Sequence, residues 1–319
     1  MESATVCEDA EARLELQHWQ QYVEIFRATH GRYPIVYDLC CGEGCFARGA
    51  VRAGCTVVGF DVLARPSTYG MMPIGRLRSG HFRREPISTM SYVQQDLASE
   101  AFWDNLCSTG AAPGFPPPDL IHASPPCTAH TSLRHLPRAT REPQDLLVPT
   151  LDRLQRYQLA RLAHDGVYVP WTVENVSGAR DILVRHAPYC TTLCGTMFGH
   201  RVFRHRLFAS SDPFEFELEC HHEGKAVGAR MAVKRTTDGR DRSKDYSGPT
   251  NMYGVYSWPR SERGTTSEVT IAMGFEPGSF TYRGLSQGLP VGYGHLAALQ
   301  LVTTSLQRNL GVPRFRRSD

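Results

Sequence analysis

The sequence has no apolar run near the roughly 18 residues that a bilayer-spanning helix needs, so no segment reads as a membrane anchor. It has no internal repeat and no low-complexity tract, which excludes solenoids, propellers and fibrous arrays. The opening stretch, MESATVCEDAEARLE, is acidic and polar and lacks the features of a secretory signal or a transit peptide. Ten cysteines are present, two of them adjacent at Cys40 and Cys41, but their spacing is not that of a disulfide framework. A reducing, intracellular location is therefore expected: cytoplasm or, in a eukaryote, nucleus. A strong charge of one sign is also missing. Against 32 Asp and Glu stand 35 Lys and Arg, a net +3 that is too small to select a class of partner.

What is present is an ordinary globular composition, 41% hydrophobic and 21% charged over 319 residues. Such a chain can bury a sizeable core, so disorder is excluded as the main reading, and the length allows one large domain or two modest ones.

Periodicity then orders the chain. Residues 9–30 read as an amphipathic helix with Leu16, Trp19, Val23 and Phe26 on one face, ended by Gly31 and Pro34. A strand over 35–39, a glycine-containing turn, a helix over 46–53 and a strand over 56–60 with Asp61 at its end form a strand–helix–strand unit. Residues 62–90 read as a long loop or insertion carrying Arg65, Arg76, Arg78, Arg83 and Arg84, with no acid before Glu85. Further strands are expected over 92–97, 120–123 and 168–173, with a helix over 144–164 between the last two. Strands and helices alternate, which predicts a mostly parallel, doubly wound α/β sheet. Ligands bind such sheets at the carboxyl ends of the strands, where Asp38, Asp61, Asp96, Cys127 and Glu174 all fall. From 211 to 265 the apolar period fades, and residues 225–244 carry seven Lys or Arg against Asp238 and Asp241. The chain therefore divides into a main body over 1–210, a small basic, loop-rich module over 211–265, and a return to the main body over 266–319. The return holds helical character over 267–275 and a helix over 295–309.

Four short motifs carry chemistry. In Asp38-Leu39-Cys40-Cys41-Gly42-Glu43-Gly44, the glycines permit a tight turn that brings backbone N–H groups to a ligand at a helix N-terminus. Asp61 follows Asp38 by some 23 residues, a placement suited to ribose hydroxyls. A strand–helix turn with no ligand fits these residues too. In Ser124-Pro125-Pro126-Cys127, two prolines stiffen the chain and aim the thiol that follows, a candidate nucleophile or else a buried small hydrophobe. Glu174-Asn175-Val176 offers a carboxyl that acts as a general acid if burial raises its pKa, or simply braces a loop. Within Phe203-Arg204-His205-Arg206-Leu207-Phe208, read as a strand, Arg204 and Arg206 share one face and suit a phosphate or a base carbonyl.

The order and spacing of the four motifs resemble the DNA cytosine-5 methyltransferase family, especially the compact forms common in phages and viruses. The likeness covers roughly residues 35–208, and more weakly 266–305. Asp38 to Gly44 is similar to the family's methyl-donor loop, D-L-F-x-G-x-G. Ser124 to Cys127 is similar to its P-P-C, Glu174-Asn175-Val176 to its E-N-V, and Arg204-x-Arg206 to the arginines of its Q-x-R-x-R. Leu193-Cys194-Gly195 with Phe198-Gly199 also resembles a family stretch. Cys40 stands where the family has an aromatic, and Val202 where it has Gln. Its G-N-[AS]-V signature is absent; the nearest segment is Gly288-Leu289-Pro290-Val291-Gly292-Tyr293.

The resemblance implies a Rossmann-like S-adenosyl-L-methionine-dependent methyltransferase fold, with catalytic and donor-binding body 1–210 and target-recognition module 211–265. It implies Cys127 as nucleophile, Glu174 as acid, and Arg204 and Arg206 as further catalytic groups. Cofactor contacts are implied for Asp38, Cys40, Gly42, Gly44, Cys45, Phe46, Asp61, Val62, Asp96, Leu97 and Pro125. For Phe46 a core role fits as well. The expected partner is duplex DNA with the target cytosine flipped out; no membrane partner is expected, and a monomer is. Thr131, Ser132, Arg134, Arg138 and Arg141 are placed to close over the base and meet phosphates. The same chemistry on RNA or on a free nucleotide, a different transferred group, and a catalytically silent DNA-binding protein are the alternatives. Cys190, Cys194, Cys220, His221 and His222 are residue types that bind zinc. The long gap from Cys194 to Cys220 and the lack of a tight second pair argue against a zinc site, so no metal is expected.

Overall fold

The computed structural model describes residues 10–76, 82–131, 145–200, 202, 204–220 and 266–313. The chain runs α1 (Ala10–His30), β1 (Ile35–Leu39), α2 (Cys45–Arg52), β2 (Thr56–Asp61), β3 (Met71–Arg76), β4 (Phe82–Pro86), β5 (Met90–Gln94), α3 (Glu100–Thr109) and β6 (Leu120–Ala123). It continues through α4 (Leu147–Asp165), β7 (Trp171–Asn175), α5 (Arg180–His186), β8 (Tyr189–Leu193), β9 (Arg206–Ser210), α6 (Thr266–Ala272), α7 (Tyr282–Gln287) and α8 (Val291–Leu310).

Seven strands form one sheet in the order β5-β2-β1-β6-β7-β9-β8. The pairs from β5 to β7 are parallel, whereas β9 runs antiparallel to both β7 and β8. This is a mostly parallel, doubly wound, Rossmann-like sheet. Strands β1, β6 and β7 are buried along their whole length. Both faces of a parallel sheet are covered, so these strands bury every residue, including the polar Asp38, His122, Thr172, Glu174 and Asn175. One core packs Trp19, Phe26, Phe46, Tyr293 and Leu299, from α1, α2 and α8, on one face; the other packs Trp103, Leu151, Tyr157 and Trp171 on the opposite face. The chain order reverses between β1 and β6. The crevice at their carboxyl ends is the place where open α/β sheets bind ligands.

Helix α8 is buried on every side from Val291 to Leu306, as a helix that is apolar or small-residued all round must be. It packs against α2 through glycines. A Cβ on Gly49 would lie 2.5 Å from the His295 backbone N, and one on Gly294 would lie 2.6 Å from the Phe46 carbonyl. This close approach holds α2, and the turn before it, in place.

Several expected elements differ in detail. The stretch 62–90 contains a two-stranded antiparallel hairpin, β3 with β4, whose register shifts between Pro73 and Gly75. Its Arg-rich, proline-bearing strands lack the alternation that identifies a strand. Helix α8 begins four residues before the expected start, behind Pro290; Gly292 and Gly294, weak helix formers, mask its first turn in the sequence. Helix α7 gave no periodic signal because it is only six residues long. Strand β9 starts at Arg206, so Arg204 precedes the strand and the shared-face argument for the two arginines does not hold. Residues 211–220 run back against α8. Arg308 Nη2 donates to Asp212 at 2.7 Å, and Gln300 and Glu215 exchange two hydrogen bonds. From 221 onward the expected basic module lies outside the described residues, as do Ser132, Arg134, Arg138 and Arg141. Among the described residues, no helix is long and apolar enough to cross a membrane.

Candidate active site

The turn after β6 carries Cys127, and its neighbours hold it from three directions. The Ser124 N–H donates to the Leu39 carbonyl at 2.9 Å, tying the turn to β1. Asn175 Nδ2, at the end of β7, donates to the Pro125 carbonyl at 3.1 Å. The backbone N–H groups of His130 and Thr131 both donate to the Cys127 carbonyl at 3.0 Å. Pro125 is buried and Cys127 is half-buried, so the thiol sits at the mouth of the crevice. A Cβ on Gly178 would lie 2.1 Å from the His130 carbonyl. The 3₁₀ turn after β7 therefore fits against the Cys127 turn only with glycine at 178.

Glu174, on β7, is buried, and Arg206 Nε lies 2.9 Å from its Oε1. Arg206 Nη1 also donates to the His205 carbonyl at 2.9 Å. Burial raises the Glu174 carboxyl above its ordinary range, and the charges of Arg206 and Arg204 oppose that rise without cancelling it. The Cys127 thiol is pushed up by burial and by the Glu174 charge, and drawn down by Arg206 and Arg204. The three groups thus form one electrostatic unit. Arg204 lies deeper. It is buried, its Nη2 donates to the Ser286 carbonyl at 2.7 Å, and its own carbonyl accepts from the Tyr293 hydroxyl. Burial, then the neighbouring Arg206, lowers its pKa to about 9. Arg204 therefore links the site to α7 and α8, while Arg206 faces the acid.

The glycine turn after β1 is built differently. Cys40 has φ of 55°, a left-handed conformation held by no other non-glycine among the described residues, and Gly42 and Gly44 follow at 53° and 84°. A Cβ on Gly42 would meet nothing within 4 Å, so the turn is open there. Glu43 fastens it from the side, accepting from Thr281 N at 2.8 Å and from Thr68 Oγ1 at 2.9 Å. Asp38 is buried beneath, and neither of its carboxylate oxygens makes a hydrogen bond of full geometry among the described residues, the Ala47 backbone N–H acting on it only weakly. Burial, then the charge of Asp61, pushes its carboxyl well above the usual range; the Ala47 backbone opposes this only in part. The Asp61 carboxylate accepts from Gly42 N at 2.9 Å and Leu63 N at 3.1 Å, beside the exposed Val62. Asp96 lies two residues past β5, exposed, and caps the Ala98 N–H at 2.9 Å.

The remaining expected contacts point inward. Phe46 is buried and stacked on His122, with ring centroids 3.5 Å apart. Cys45 and Leu97 are buried in apolar clusters. Sequence reasoning attached no role to Gly178, Tyr293 or the Glu43 carboxylate. Glycine at 178 was the one available signal, and it becomes readable only with His130 opposite. Cys194, His205 and Cys220, from three separate stretches, also converge. Burial pushes the Cys194 thiol up, but hydrogen bonds from His205 and Thr196 outweigh it and hold the thiol down to about 6.

No known protein family matches the sequence, and no curated protein matches it. Solved structures are similar in overall course. A mutant of the DNMT2 protein of Spodoptera frugiperda is 13% identical, with a TM-score of 0.47, the match covering 85% of this chain and 99% of that one. The S. pombe Dnmt2 methyltransferase is 12% identical, with a TM-score of 0.43 over 86% of this chain and 98% of that one. The Entamoeba histolytica methyltransferase EhMeth is 12% identical, with a TM-score of 0.41 over 85% and 98% of the two chains.

Proposed function

We propose that the protein transfers a methyl group from S-adenosyl-L-methionine to C5 of cytosine in DNA, through a covalent bond between Cys127 and C6 of a flipped-out base. The observation that carries this reading is the grouping of Cys127, on a pinned turn, with the buried Glu174–Arg206 pair. A catalytically silent binder has no use for a half-buried thiol coupled to a buried acid.

The residues of the glycine turn suit the donor. The buried Asp38 carboxylate beside Asp61 favours a ligand bearing positive charge, and the open space over Gly42 admits one. In this reading Asp61 offers its remaining lone pairs to ribose hydroxyls, Val62 gives an exposed apolar face, and Asp96 reads an amino group at the rim. When bound, the donor supplies an electrophilic methyl group.

The chain's own side chains make cytosine reactive. Cytosine C5 is a weak nucleophile until C6 is saturated. The Cys127 thiol gives its proton to the Glu174 carboxylate, the thiolate so formed bonds to C6, and the C5=C6 electron pair moves toward C5 and N3. Glu174, protonated in its buried setting, donates to N3 and offsets that charge. Arg206, released from pairing as Glu174 is protonated, holds the base carbonyl oxygen. The C5 electron pair would take the methyl group while the donor sulfur keeps the bonding pair; C5 then loses its proton to water, the Sγ–C6 pair returns to Cys127 as the double bond re-forms, and N3 gives its proton back to Glu174. Reaching C6 and N3 requires the base outside the stack. Phosphate contacts fall, on charge, to Arg134, Arg138, Arg141 and the basic run over 225–244.

The test incubates the full chain with S-adenosylmethionine and, separately, unmodified duplex DNA and total transfer RNA, followed by nucleoside mass spectrometry. The expected product is 5-methyldeoxycytidine in DNA, absent with Cys127→Ala. Product in RNA alone overturns the DNA assignment. No product in either sinks the reading.

A further inference from the structure

A side-chain cluster away from the Cys127 turn points to a metal. Cys194 follows β8, His205 immediately precedes β9, and Cys220 stands where the chain leaves for residues 221–265. Their two sulfurs and the imidazole nitrogen all lie within 4.8 Å of one another. His205 Nε2 is 3.4 Å from Cys220 Sγ. Zinc in tetrahedral coordination, with Zn–S near ~2.3 Å and Zn–N near ~2.0 Å, sets its ligand atoms about 3.5–3.8 Å apart. Small rotamer adjustments bring the trio to that spacing.

We propose that Cys194, His205 and Cys220 bind one zinc ion, with solvent in the fourth position. Two thiolates neutralise the dication, and a neutral imidazole completes a soft donor set that selects zinc over magnesium or calcium. A supporting shell is already built. Thr196 Oγ1 lies 3.3 Å from Cys194 Sγ and 3.7 Å from Cys220 Sγ, and the Met197 backbone N–H is directed at Cys194 Sγ. Hydroxyl and amide donors of this kind orient thiolate ligands and hold them ionised. The ligands come from three stretches with no CxxC pair, so sequence spacing argues against a site that the fold assembles.

The position gives the ion a purpose. His205 lies between Arg204 and Arg206, and its carbonyl accepts from Arg206. Fixing its ring fixes the backbone that carries Arg206. Fixing Cys220 anchors the root of the basic segment to the sheet. The inference is independent of the methyl-transfer reading.

The test measures zinc in the full, untagged chain purified under reducing conditions, followed by exchange to cobalt(II). The expected result is about one zinc per chain and a thiolate-to-cobalt charge-transfer band with tetrahedral d–d absorption. Cys194→Ser, Cys220→Ser and His205→Asn each drop the metal below roughly a fifth of that, whereas Cys107→Ser, far from the cluster, leaves it unchanged. Wild-type chain that takes up neither metal overturns the proposal. So does zinc that survives all three substitutions, or a Cys194–Cys220 disulfide recovered in its place. The wild-type measurement decides the matter even where a variant fails to fold.

Discussion

The two halves of the sheet's carboxyl edge are built on opposite principles. On the β6–β7–β9 side, the polar groups meet partners: Arg206 meets Glu174, Arg204 donates to the Ser286 carbonyl, Asn175 pins Pro125, and Glu174, Arg206 and Arg204 together act on Cys127. On the β1–β2–β5 side, two carboxylates face each other across an open glycine turn, and one of them has no hydrogen-bond partner of full geometry among the described residues. The first half is preorganised before any substrate arrives, which is what electrostatic catalysis requires. The second half is left unsatisfied, which destabilises the free protein and favours a cationic ligand. In the proposed function, the groups that act on the base fall on the first half and the donor on the second.

After loss of the nucleophile itself, the largest expected effect comes from removing the acid. Glu174→Gln keeps the shape of the side chain but cannot hand over a proton in the same way, and turnover should fall about 10²–10⁴-fold. The same change removes the charge that raises the Cys127 thiol, so the pH midpoint for alkylation of Cys127 should move down; with Arg206→Ala it should move up. An alkylation midpoint that stays put in both variants would break the idea of one electrostatic unit.

Next in size is Gly178→Ala. The added Cβ meets the His130 carbonyl and pushes the Cys127 turn aside. Displacement of a nucleophile by about 1 Å costs on the order of 10²-fold in rate. Turnover should drop by that factor while calorimetric binding of S-adenosylmethionine is unchanged. Equal losses in both would mean that the two halves are not separable.

The smallest effect sharpens the other side. Asp38→Asn removes a buried, weakly partnered carboxyl. Its folded pKa lies above the unfolded value near ~3.9, so the cost of burying it is absent in acid and grows as pH rises toward the folded pKa. In urea unfolding the variant should be more stable than wild type by roughly 1–3 kcal/mol at neutral pH, and the gain should fade by about pH 4. Binding of the donor should weaken at the same time. Unchanged stability at neutral pH would show that Asp38 carries no such burden.

Much of this was readable in the residues. The alternation of strands and helices predicts the parallel sheet, because burial on both faces turns each strand into a mostly apolar run bounded by polar or special residues. The motifs at Asp38, Ser124 and Glu174 mark the strand ends where open sheets bind ligands. The hairpin β3–β4 was not readable, since its pairing is decided across strands whose own pattern is Arg-rich and irregular. Arg204 and Arg206 sit two apart and look equivalent. Only the start of β9 at Arg206 separates one that serves the acid from one that braces α7.

By itself, the sequence determined the class of fold, the order of its elements and the residue types available at each strand end, because these depend on local periodicity and chain order. Tertiary structure alone decided which groups meet: that Phe46 stacks on His122 in the core, that the Asp38 carboxyl is buried beside Asp61 with no hydrogen-bond partner of full geometry among the described residues, and that Cys194, His205 and Cys220 come together. The physical reason is range. Periodicity is set by neighbours a few residues away, whereas charge coupling and ligand geometry depend on distances of a few ångströms between residues far apart in the chain.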